Sequence, residues 1–155
     1  MVVVLTGCVS KPMALAPVGP AEGASVSSSR GGSLEVFSAT EKSLPTDSED
    51  HWVCDLPTGY EIYDASGKDY KFVANHLDNM DEWPDTVQLP AGHYTVEARS
   101  RYCGVVTVPV TIEKGKTTVV HLDDNWSPPK GTPQANIVFL PDGSAVGWHY
   151  TSSVN

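Results

Sequence analysis

"VQLPAGHYTVEARSRYCGVVTVPVTIEKGKTTVVHL", residues 87–122, is the stretch that decides the fold. In it Tyr94, Val96 and Ala98 alternate with Thr95, Glu97 and Arg99, and a period of two places each set on its own face of a strand. Before them, Pro90-Ala91-Gly92 makes a tight corner, under which Tyr94 is expected to bury its ring. Beyond Cys103 two more alternating sets follow, Val106, Val108, Val110 and Ile112, then Thr118, Val120 and Leu122. Lys114-Gly115 stands between them, so the pair reads as a hairpin. Pro109 falls on the opposite face; lacking an N–H, it is expected at an edge or bulge.

Outward from this stretch the same signals repeat. Ser33–Ser38 reads as a first strand with Leu34 and Val36 on one face. Tyr60–Tyr63 and Tyr70–Ala74 flank "DASGKD", residues 64–69, a hairpin turn, and Thr86–Leu89 is a short strand. Seven strands at this turn spacing predict an all-β domain, a seven-stranded antiparallel sandwich over residues 33–123. Residues 124–155 then hold a Pro- and Gly-rich connector and "NIVFLPDGSAVGWHY", residues 136–150. Asp142-Gly143 predicts a C-terminal β-hairpin. A lone hairpin is only marginally stable, so Ile137, Phe139, Val146 and Trp148 are expected to pack on an edge or open end of the sandwich.

Leu89, Pro90, Gly92, Tyr94, Val96, Gly115 and Val120 together resemble a phrase of the transthyretin-like, carboxypeptidase-regulatory-like domains and related bacterial surface modules. The resemblance covers this part of the chain only. It implies an Ig-like, Greek-key sandwich serving as a spacer, adhesion module or accessory unit. Fold alone does not confer function.

At the N-terminus, "VLTGCVSKP", residues 4–12, raises the question of location. Leu5-Thr6-Gly7-Cys8 resembles the lipobox of bacterial lipoproteins, which implies cleavage before Cys8 and lipidation of its thiol. Several acyl chains give stable membrane anchoring where one gives only marginal binding. Seven residues precede Cys8 and none is basic, so residues 1–7 read as a truncated signal peptide. Residues 8–32, rich in Pro, Ala, Ser and Gly, read as a lipidated flexible tether, since such a composition buries too little apolar surface to offset chain entropy. Val9 after the cysteine, rather than Asp, resembles the pattern that permits sorting to an outer membrane. The expected place is the bacterial cell envelope, on the periplasmic face of the outer membrane.

Composition narrows the partners. The formal charge of -9 argues against nucleic acid, whose phosphates call for clustered Lys and Arg. Three cysteines are present, and giving Cys8 to lipid leaves Cys54 and Cys103. An even remainder in an exported protein suggests a disulfide between them, with two separate thiols as the alternative.

The candidate chemistry is sparse. His51 and Cys54, His93 and Cys103 suggest a zinc site only if they meet, and the spacing fits no tight ligand motif. Asp78, Asp81, Glu82 and Asp85 crowd one loop but lack the pattern of an EF-hand; a solvated acidic loop is the plainer reading. No cofactor, metal site or catalytic motif is expected. Trp52, Trp83, Trp126 and Trp148 all sit near loops or element ends. Their rings suit either plugging the sandwich or a platform for a glycan or peptide. The sequence therefore points to a non-catalytic envelope lipoprotein, an accessory β-sandwich in contact with another envelope protein. A glycan- or peptide-binding module is the alternative.

Overall fold

The computed structural model describes residues 14–23, 30–43, 53–76 and 82–152. Strand alternation dominates throughout, and among these residues the chain is all-β, with one short 3-10 turn at Gln134–Asn136. Twelve strands form, three more than the seven expected for residues 33–123 together with the C-terminal pair. They are β1 (Val18–Gly19), β2 (Gly32–Phe37), β3 (Thr40–Ser43), β4 (Cys54–Pro57), β5 (Tyr60–Tyr63) and β6 (Asp69–Val73). Then come β7 (Val87–Leu89), β8 (Gly92–Ser100), β9 (Gly104–Ile112), β10 (Thr117–His121), β11 (Ile137–Phe139) and β12 (Ala145–His149). The additional strands are β1, β3 and β4.

A seven-stranded sheet has the order β11-β12-β1-β9-β8-β5-β6, a three-stranded sheet the order β10-β2-β7, and β3 and β4 form a ribbon. Orientation is mixed rather than antiparallel throughout. β10 runs parallel to β2 and β1 parallel to β9. The core lies between the two larger sheets. Leu34, Val36, Leu89 and Val120 from the smaller meet Val18, Ile62, Val96, Val108 and Val146 from the larger. All but Val18 belong to the inward set of an alternating strand, which is why a period of two suffices to place them. The corner before β8 closes as expected: Tyr94 is buried and its hydroxyl donates to the Pro90 carbonyl at 2.9 Å.

Two expectations fail here for physical reasons. The strands on either side of Lys114-Gly115 do not pair as a hairpin. The Lys116 N–H donates to the Glu113 carbonyl and Gly115 takes φ 74, so the chain does reverse. It reverses between sheets, however, and β10 pairs with β2 from Thr117↔Ser33 to His121↔Phe37. Thr118 Oγ1 then reaches back across the core to the Thr111 carbonyl at 2.7 Å. A tight turn and an apolar period are the same for an in-plane hairpin and for an arch that joins two layers.

The second failure concerns residues 8–32. Val18, fully buried, and Gly19 form β1, wedged between β12 and β9. Tyr150 N–H donates to the Pro17 carbonyl at 2.8 Å and extends the pairing. Part of the predicted tether is thus a strand of the domain. β1 also makes β11 and β12, which pair antiparallel around Asp142-Gly143, continuous with the large sheet. The fit is close: a Cβ on Gly147 would stand 2.7 Å from Val18 Cγ1 and 2.8 Å from the Val119 carbonyl oxygen.

Candidate functional site

Register builds the site. β2 and β10 end together, with His121 directly beside Phe37 on the face turned away from the core. Their rings stack at 5.0 Å between centroids, 19° from parallel. The connector after β10 folds Trp126 onto the other face of His121, at 4.6 Å and 7°. Trp148 of β12 meets Trp126 edgewise at 6.2 Å, and Trp83, from the loop before β7, meets Phe37 edgewise at 6.5 Å. Five rings therefore run in one chain, Trp83, Phe37, His121, Trp126 and Trp148. Offset-stacked and edge-to-face pairs of this kind are each worth about 0.5–1.5 kcal/mol beyond their area.

Most of the row borders a groove of about 470 Å³ lined by Phe37, Trp83, His121 and Trp126, with Asp55, Glu82 and Asp123, and with Thr40 and Asn125 as further polar groups. Trp83 is its open wall, 73% exposed. On the rim, Asn125 Nδ2 donates to Asp123 Oδ2 at 2.9 Å and fixes that carboxylate. Burial lowers the His121 pKa, and the Asp123 carboxylate partly opposes this. The imidazole is thus neutral at pH 7 and stacks as an uncharged ring. Chemically the groove offers apolar ring surface beside carboxylate, hydroxyl and amide groups.

The predicted tryptophans sort accordingly. Trp83, Trp126 and Trp148 come together, though Trp148 supports the row from outside the groove. Trp52 lies outside the described residues, as do Cys8 and His51 and, in the acidic loop, Asp78 and Asp81. Sequence reasoning missed Phe37 and His121, the centre of the row. Both occupy outward positions of alternating strands, a faint signal, and only the pairing of β2 with β10 brings them together.

The cysteines correct an expectation. Cys54 and Cys103 are free thiols, not a disulfide. Cys54 is buried at the start of β4, opposite Ser43. Cys103 sits in the β8–β9 turn, where its N–H donates to Ser100 Oγ at 2.9 Å. Its side chain lies beside Asp142, whose carboxyl is held below the usual range first by the Ser144 hydroxyl and N–H, and more weakly by Cys103. The imagined pairing of His93 with Cys103 fails as well. The two stand at opposite ends of β8–β9, and His93 Nδ1 lies 3.1 Å from Thr111 Oγ1. Among the described residues no three His, Cys, Asp or Glu side chains converge as a metal site.

Comparison with family models, with curated proteins and with solved structures returns no match.

Proposed function

We propose that the protein is a non-catalytic, lipid-anchored module of the bacterial cell envelope that binds a glycan in the aromatic groove. The observation that carries the binding reading is the shared position of Trp83 and Trp126 with Phe37 and His121 beside Asp55, Glu82 and Asp123. Sugar rings offer C–H faces to aromatic carbon and hydroxyls to carboxylate and amide oxygens, so this mixture suits them. The lack of lysine or arginine among the groove residues favours neutral or amino sugars over anionic polymers. Anchoring through Cys8, on the periplasmic face of the outer membrane, belongs to the same proposal and rests on the lipobox resemblance. So does a Greek-key, transthyretin-like sandwich, which the buried Tyr94 corner supports.

Tryptophan fluorescence titrated with soluble N-acetylglucosamine and glucosamine oligomers tests the binding reading. Trp83→Ala is expected to leave the melting temperature within a degree or two of wild type, because the ring is mostly exposed, and to weaken binding at least about tenfold. Trp126→Ala is expected to lower stability as well, because its ring covers His121. Unchanged affinity in Trp83→Ala would sink the groove as the site.

A further inference from the structure

A second groove, about 630 Å³, opens between the β3–β4 ribbon and the face of the seven-stranded sheet turned away from the core. Phe72, Glu61 and Glu97 cross its floor in one row, because Glu61 pairs with Phe72 on β6 and with Glu97 on β8. Val105 on β9 stands beside the row, opposite Arg99. Leu56 and Pro57 of β4 and Glu41 of β3 line it from the ribbon. Phe72 and Val105 are 60% and 66% exposed, uncommonly open for apolar side chains on a paired strand.

The charged lining of this groove is acidic by one: Glu41, Glu61 and Glu97 against Lys42 and Arg99, with His76 also present. Arg99 is engaged by Glu41, 2.7 Å between Nη1 and Oε1. Glu61 and Glu97 face each other across the strands, and no ion pair among the described residues reaches either. Like charges directly opposite in a sheet repel. The neighbouring Tyr63 registers the field: its pKa is raised first by Glu97, then by desolvation and Glu61. A cation placed between the two carboxylates would turn this repulsion into attraction, and the exposed Phe72 and Val105 flank that position.

We propose that this groove docks an extended, basic segment of another protein, with a Lys or Arg between Glu61 and Glu97 and apolar side chains on Phe72 and Val105. Alternate residues of an extended segment share one side, so the pattern sought is apolar-x-basic-x-apolar. The inference does not depend on the aromatic groove, which meets the same ribbon only at Thr40 and Asp55.

The test uses the full chain and two fluorescein-labelled peptides, Val-Ser-Lys-Ser-Val-Ser-Lys-Ser-Val and the same peptide with Glu for Lys, read by anisotropy. The lysine peptide is expected to bind and the glutamate peptide not. Glu61→Gln with Glu97→Gln should weaken binding at least about tenfold, and Phe72→Ser by a smaller factor. Glu82→Gln with Asp123→Asn removes the same formal charge from the aromatic groove and is expected to change affinity less than about twofold. Thermal melts confirm that each variant is folded. Equal losses in the two double variants would reduce the binding to general attraction toward an acidic protein and overturn the proposal. Equal binding of the two peptides, or none by either, would overturn it too.

Discussion

Asn75 holds more of this molecule together than its size suggests. It is fully buried, and it adopts φ 70, a left-handed conformation that asparagine tolerates better than most residues. Its Nδ2 donates to the Val36 carbonyl, Ser38 Oγ and the Thr58 carbonyl, while its Oδ1 accepts from the Asp85 N–H. One side chain thereby ties β2, the turn between β4 and β5, and the loop that carries Trp83. Asn75→Ala leaves those groups unsatisfied and keeps the unfavourable φ, so a loss of about 3 kcal/mol is expected in urea unfolding. A loss under about 1 kcal/mol would show that water replaces the amide at little cost. His121 makes a prediction about pH at the same scale. Its pKa in the folded state lies below the 6.5 of the unfolded chain, mainly through burial. The unfolded chain therefore takes up the proton first as pH falls. His121's contribution is complete above pH 6.5 and declines as pH drops through the depressed folded value. Wild type should lose stability between pH 7.5 and 5 by more than His121→Phe does. Parallel slopes in the two proteins would exclude this histidine as the cause.

Strands show which signals in a sequence survive and which do not. Alternation placed β2, β5, β8 and β9 within a residue or two, because each has a buried and a solvated face. β3, Thr40–Ser43, is polar on both faces and largely exposed, so it carries no period to detect; its partner β4 is only four residues long and includes a proline. Neighbours across a sheet are equally hidden, since alternation fixes a side chain's face and not the strand beside it. That is why the Glu61–Glu97 pair emerges only from the β5–β8 register. Glu97→Gln removes the repulsion without changing the shape of the side chain. It is expected to raise stability by about 0.2–1 kcal/mol, and Glu61→Gln made on top of it should add less than it does alone. Additive or destabilising effects in that double-mutant cycle would mean the two carboxylates do not interact. β6 shows a different device, for Lys71 lies on the core-facing side of an edge strand, a placement that discourages pairing with a second sheet.

Across the whole molecule, the all-β class is legible in the sequence, whereas the place where the domain begins is not. Proline, alanine and glycine around Val18 give a two-residue strand no period, and composition alone reads such a stretch as coil. Its burial depends on β9 and β12, segments about 90 and 130 residues further along the chain. The aromatic groove was half legible for the same reason: tryptophans stand out by type, whereas Phe37 and His121 matter through a pairing between distant strands. Val18→Asp is expected to cost more than about 3 kcal/mol, as an unpaired charge beside Leu34, Val108 and Val146 would. Val18→Ala should cost about 2 kcal/mol. Near-neutral values for both would show that β1 is dispensable. Its place in the sheet also has a mechanical meaning. Nine residues separate Cys8 from Val18, so a lipid on that cysteine holds the body within roughly 35 Å of the bilayer surface. Tension on the proposed anchor would enter at the shortest strand of the large sheet, the stitch that joins β12 to β9. Drawn away from the membrane, the protein is expected to rip at this stitch first and shed its C-terminal strand pair before the paired β2 and β10 give way.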